Sequence, residues 1–389
     1  MHEGRLVFSQ LTDFLPMRDF NQSVRRYNGN YKTHGFSCLD QFLCMAFAQI
    51  TGRQCLRDIQ TCLRAVGPKL YHAGIRGAVS RTTLADANRL RDWRIYADFA
   101  HVLIDKARKL YANDDFGVEL KQVAYALDST TIELCLSLFP WARFRKHKGA
   151  IKLHTLLDLR GSIPSFLRLT DARTHDVNVM DVLPLEPGSY YIFDRGYIDF
   201  ARLYRFTLLM SYFVTRAKSN MQYTRLSYRK VDKATGLRSD QTIALSVKQS
   251  AKDYPAPLRR ISYVDLDTGK RFVFLTNNFD LSALDVAKLY KCRWQVELFF
   301  KWIKQHLRIK TFFGTSENAV KAQVWISISV YVLVAIIKKE LRLELSPNEI
   351  LQILSVTLFE KSLISQALTQ KPPQIQEAAC CKQLSLFDL

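Results

Sequence analysis

Two short apolar runs, 123–127 and 190–193, each end at an aspartate, Asp128 and Asp194. Each reads as a buried strand, and a charge at such a strand tip is costly unless something pairs with it. The surrounding chain has the same grammar. Strand patterns cover 132–138, 151–159 and 166–169, with Arg160-Gly161-Ser162 as a hairpin turn. A helix is expected over 200–208 and a strand over 212–215. Residues 220–278 are strand-rich, with 242–247, 260–266 and 271–275 alternating around a turn at Thr268-Gly269. Helical period returns from Ser282 to about Ile309, followed by an apolar segment at 320–337.

Residues 1 to about 120 look mainly helical. Ser37 and Asp40 suit a helix start before Phe42, Met45, Ala46 and Ile50, and Leu56, Ile59 and Leu63 give a second short amphipathic stretch. Ser80 then caps a third. Short helices with a tight connection, dotted with Arg53, Arg57, Arg64 and Arg81, suit a helix-turn-helix reader of DNA. The expected division is a helical DNA-binding domain at 1–119, a catalytic core at 120–219 and 279–367 interrupted by a β-rich insertion at 220–278, and a flexible tail at 368–389.

With 56 Lys and Arg against 36 Asp and Glu, the chain carries a formal charge of +20. A field of that size attracts polyanions, and counterion release from a phosphate backbone supplies much of the affinity. Nucleic acid is therefore the expected partner. An anionic membrane is the rival, but 320–337 is interrupted by Lys321 and Gln323 and reads as a buried core helix. The eight cysteines form no Cys-x-x-Cys pair and no zinc pattern with histidine, which fits reduced thiols in the cytoplasm.

Joining and cutting DNA strands without a covalent protein intermediate calls for two divalent cations, held by hard carboxylate oxygens. Asp128 and Asp194 at neighbouring strand ends, with a third carboxylate on a helix packed across them, meet that need. Tyr290, Arg293, Glu297 and Lys304 lie at i, i+3, i+7 and i+14 of one helical run and form a single stripe. Glu297 is the expected third ligand, Arg293 and Lys304 are phosphate clamps, and Tyr290 is a hydrogen-bond donor to phosphate. Leu298, Phe299, Trp302 and Ile303 are expected to face the core.

The Tyr-x2-Arg-x3-Glu-x6-Lys stripe, the Asp-Arg-Gly-Tyr turn at 194–197 and the Leu-Asp-Ser-Thr-Thr run at 127–131 resemble the insertion-sequence-four family of bacterial DDE transposases. The segments at 7–11 and 26–30 resemble the leading domain of one subgroup. The resemblance implies an α/β, ribonuclease-H-like core with a β-rich insertion and two Mg2+ or Mn2+ ions per site. It also implies terminal inverted repeats and target DNA as substrates, and a homodimer in the synaptic complex. Such an enzyme is expected in the bacterial cytoplasm, with the nucleoid. Some members release the element through a DNA hairpin, helped by an insertion aromatic that stacks on a flipped base. No Trp occurs in 220–278, which leaves Tyr223, Tyr228 and Tyr263 besides Phe residues.

Arg195 could clamp a phosphate or pair with a carboxylate. The basic run 143–148, including Arg145 and Lys148, is expected to touch phosphate. Asp158, Asp171, Asp176 and Asp181 are acids that could replace a ligand, and His154 and His175 are more often structural. At the end of the chain, Gln383, Leu384, Leu386 and Phe387 resemble the pentapeptide that docks bacterial proteins on the replicative sliding clamp. Deleting 383–389 should then abolish clamp pull-down, and unaltered pull-down would remove the idea. Rival functions are a nuclease on the same core without strand transfer, and a catalytically inactive DNA-binding repressor.

Overall fold

The computed structural model describes residues 4–33, 35–76, 79–145, 148–306 and 312–369. Its strands, in chain order, are β1 (Ala124–Leu134), β2 (Arg143–Arg145), β3 (Lys148–Asp158), β4 (Ile163–Asp171), β5 (Tyr190–Phe193), β6 (Tyr212–Arg216), β7 (Tyr223–Arg229), β8 (Leu237–Leu245), β9 (Leu258–Val264) and β10 (Arg271–Thr276). They form one mixed sheet in the order β2-β3-β1-β5-β6-β10-β9-β8-β7, with β4 also paired to β3. The fold is α/β.

Two expected strands, 123–127 and 132–138, are one continuous β1. Asp128 therefore lies inside a strand, at the point where pairing with β5 ends but pairing with β3 continues. The β3–β4 turn falls where Gly161 predicts it. Gly161 has φ +72°, and a Cβ there would meet the Tyr111 ring, so only glycine suits both the backbone and the close approach. The strands β7 to β10 join the edge of β6 through β10 and extend the same sheet. The strand β7 and the short helix Lys248–Asp253 were not legible as elements in the sequence.

Alternation along β1 and β5 separates two cores. Ala124, Ala126, Tyr190 and Ile192 belong to a large core shared with the helices, whereas Tyr125, Leu127, Tyr191 and Phe193 belong to a second core on the opposite face. The helical side is built on Glu317–Glu340, in which every residue from Ala322 to Ile337 is buried. This helix is long and apolar enough to cross a membrane, but here it is enclosed by Arg94–Tyr111, Cys38–Ile50 and Arg81–Leu90. The amino-terminal helices and the carboxy-terminal helices thus share one core, and chain order does not separate them spatially.

The expected helix starts hold. Ser37 accepts from the Asp40 amide and Asp40 accepts from the Ser37 amide, a capping box, and Ser80 accepts from the Thr83 amide. The six described cysteines are unpaired, and Cys380 and Cys381 lie outside the described residues.

Candidate active site

The parallel register pairs Ala124 with Tyr190 and Ala126 with Ile192. Carried two residues further, it sets Asp128 beside Asp194. By the period of two, both carboxylates share the face of Ala126 and Ile192, which is the helical face. On that face lies the helix Trp294–His306, which buries Val296, Phe299, Phe300 and Ile303 and packs across β1. The alanines at 124 and 126 leave room for that approach. Leu298, expected in the core, is 48% exposed, because the buried stripe runs through 296, 299, 300 and 303. Trp294 is exposed, while Trp302 packs edge-on against Tyr331.

The expected continuous helical run is broken once. Ala283–Cys292 and Trp294–His306 meet at Arg293, whose amide bonds to the Tyr290 carbonyl and whose carbonyl accepts from the Val296 amide. The break keeps right-handed helical angles at Arg293, so the stripe survives. Arg293 Nη1 donates to Asp128 Oδ2 at 3.0 Å, and Nη2 donates to Glu297 Oε1 at 2.5 Å. The Tyr290 hydroxyl reaches Asp194 Oδ1 at 3.5 Å. Asp128, Asp194, Glu297, Tyr290 and Arg293 thus form one contact network spanning two strands and a helix junction.

Burial raises the Asp128 carboxyl above its ordinary range, opposed by the Ser129 amide and Arg293. The charges of Glu297 and Asp194 push in the same upward direction as burial, which places both within electrostatic reach. Among the described residues no three His, Cys, Asp or Glu side chains are already grouped tightly enough to hold an ion. The guanidinium of Arg293 bridges two of the carboxylates instead. The donor set is nonetheless suited to hard cations: one guanidinium is shared by Asp128 and Glu297, and Asp194 meets only the Tyr290 hydroxyl, which leaves the three carboxylates only partly balanced. Two buried polar atoms there, Arg293 Nε and the Thr155 hydroxyl directly across from Asp128, have no hydrogen-bond partner. The site residues fit a divalent cation.

The other acids are elsewhere. Asp176 accepts from the Ser129 hydroxyl at 2.7 Å and pairs with Lys152 at 3.1 Å. Ser129 and Lys152 have the parity of Leu127 and Leu156, so this cluster lies on the opposite face of the sheet. His154 is buried there too, bonded to Thr170, and burial pushes its imidazole down to about 4, which keeps it neutral. Asp158 lies opposite Tyr125 and pairs with Arg108. Asp181 pairs with Arg202, and Asp171 closes β4 exposed.

Lys304 follows Glu297 by two helical turns, roughly 10 Å along the axis. Arg195 is exposed and, among the described residues, has no carboxylate partner. The β2–β3 hairpin pairs Arg145 with Lys148, but β1 reaches it only at Leu134, roughly 20 Å beyond Asp128. Lys148 is exposed; the side chain of Arg145 and the tail motif Gln383, Leu384, Leu386 and Phe387 lie outside the described residues.

The sequence did not single out an aromatic cavity beside the network. It measures about 290 Å³ and is lined in part by Tyr263, Phe272, Phe274, Tyr290 and Trp294. Arg216 stacks over Phe272 at 5.3 Å. Of the insertion tyrosines, Tyr263 lines this cavity, whereas Tyr228 is exposed on β7. The only sequence signal was the alternation of Phe272 and Phe274.

The family model described as a transposase DDE domain matches residues 119–333, and one described as a domain of unknown function (DUF4372) matches residues 3–76. The chain is 32% identical over 296 residues to "Putative transposase y4zB" of Sinorhizobium fredii, covering 75% of this chain and 80% of the relative. It is 33% identical over 211 residues to "Probable transposase for insertion sequence element IS5377" of Geobacillus stearothermophilus, covering 53% and 54%. A third relative, "Putative transposase for insertion sequence element IS4SA" of Synechocystis, is 22% identical over 82% of this chain and 88% of its own length.

Proposed function

The chain belongs to the DDE transposases, enzymes that act on DNA, and from that premise we propose that it moves an insertion sequence by cutting at terminal inverted repeats and joining the ends to target DNA. The observation that carries this reading is that Arg293 bridges Asp128 and Glu297 while the Tyr290 hydroxyl links Asp194 to the same cluster. In the proposal these three carboxylates hold two Mg2+ or Mn2+ ions. Such ions, when bound, polarise the attacking and leaving oxygens of a phosphodiester. Tyr290, Arg293, Lys304 and Arg195 bind and orient the phosphates, and Arg145 and Lys148 serve a more distant stretch of backbone.

A ligand set on β1, β5 and a crossing helix supports a ribonuclease-H-like core. Further support comes from the sheet, in which β1, β3 and β4 are antiparallel and β5 and β6 run parallel to β1. The helical region 1–119 is proposed to bind the element's ends. A synaptic homodimer, docking of the tail on the sliding clamp, and residence in the bacterial nucleoid complete the reading.

The test uses pre-cleaved element ends, a target plasmid and Mg2+. Joined products are expected, whereas cleavage of uncut ends without any joining would favour a nuclease on the same core. The aromatic cavity favours a hairpin route for the second strand, since a planar base can stack there. Phe272→Ala should then lower hairpin yield roughly tenfold or more while first-strand nicking persists, consistent with one lost base stack. Equal hairpin yield would exclude the cavity from that step.

A further inference from the structure

The guanidinium that was expected to face DNA phosphate is spent on two catalytic carboxylates. Arg293 reaches Asp128 with one terminal nitrogen and Glu297 with the other, and its side chain is only 16% exposed. Its Nε is buried without a partner, so the bridge does not satisfy the group completely. Both terminal nitrogens point at carboxylates and the unpartnered Nε is buried, so in this pose the group is turned away from a DNA phosphate. It also puts positive charge against the oxygens that a divalent cation needs, and among the described residues no three acids are grouped closely enough to hold an ion.

We propose that Arg293 is an internal counter-ion that holds the carboxylate site closed to divalent metal until a DNA phosphate draws it away, so that metal and DNA bind cooperatively. The inference rests on the reading that Asp128, Asp194 and Glu297 form the metal site. Its physical basis is an exchange of partners. Without DNA, a metal ion must displace a cation already bonded to its ligands. With DNA present, the phosphate takes over the guanidinium and the carboxylates are left without a counter-ion until metal binds. Linkage makes the effect reciprocal, so metal must tighten DNA binding by the same factor. The device would keep the enzyme from assembling a hydrolytic centre away from its substrate.

The experiment measures Mn2+ binding to the full chain by electron paramagnetic resonance of the free ion, with and without a duplex carrying the terminal sequence of the element that encodes it. Wild type is expected to bind Mn2+ weakly alone and roughly tenfold or more tightly with the duplex. Arg293→Gln should bind Mn2+ tightly without DNA, and the duplex should add little. Unchanged or weaker DNA-free binding by Arg293→Gln overturns the proposal. Should that variant not fold, Arg293→Lys decides. Its single ammonium cannot bridge both carboxylates as a fork does, so tighter DNA-free binding than wild type supports the proposal and equal binding overturns it. Glu297→Gln separates the two layers. If it binds Mn2+ as wild type does with DNA, the metal-site reading itself fails. If it loses Mn2+ while Arg293→Gln gains none, only the counter-ion fails.

Discussion

Glu297→Gln is expected to abolish strand cleavage, by at least about a thousandfold, while the protein still binds DNA ends. The substitution keeps the shape of the side chain and one oxygen, but removes the charge that a divalent cation needs. Glu297 is half-buried and is not part of the buried stripe of Val296, Phe299, Phe300 and Ile303, so the helix should stay packed. The remaining amide oxygen can still accept from Arg293, without the charge. End binding measured by mobility shift without divalent metal should therefore hold, and cleavage of a labelled end in Mg2+ should vanish. Retained cleavage within tenfold of wild type would remove Glu297 from the metal site.

The second large effect is on stability. Asp240 on β8 and Arg259 on β9 form a bidentate pair at 3.0 and 2.7 Å, with both side chains almost wholly buried. The remaining arm of Arg259 donates to the Leu281 carbonyl, just before Ser282 caps the helix Ala283–Cys292. This pair ties the inserted strands to the helix junction that carries Tyr290 and Arg293. Asp240→Ala leaves a buried guanidinium without its counter-charge and should cost about 3–5 kcal/mol in urea unfolding. Replacing both residues by well-packed apolar side chains should recover most of that loss, since the cost comes from the stranded charge. A loss below about 1 kcal/mol for the single change would show that water reaches the pair.

The candidate site was legible in the sequence because its residues are locally patterned. Two apolar runs ending in aspartate, and a polar stripe at helical spacing, do not depend on distant contacts. The same holds for Gly161 in its turn and for the Ser37–Asp40 cap, where the backbone requirement is set within four residues. Reading failed where two local patterns were equally good. Asp128 looked like a strand end because the apolar run stops there, but β3 pairs with β1 beyond it, and β1 continues as half-exposed alternation. Leu298 looked like core because it is apolar, yet only the rotation of the helix on the sheet decides which side is dry.

The sequence by itself singled out the three candidate acids and determined the turns and caps, the basic charge and the apolar helix that anchors the fold. Only the tertiary structure decided that β1 and β5 are parallel neighbours in matching register, which brings Asp128 and Asp194 to one face and sends Asp176 and His154 to the other. It also decided that the inserted strands extend the main sheet, and that Arg293 turns inward onto Asp128 and Glu297. The reason is the range of the forces. Periodicity and capping are settled within a few residues of chain, whereas register, facing and the partner of a half-buried charge depend on which distant surfaces exclude water together.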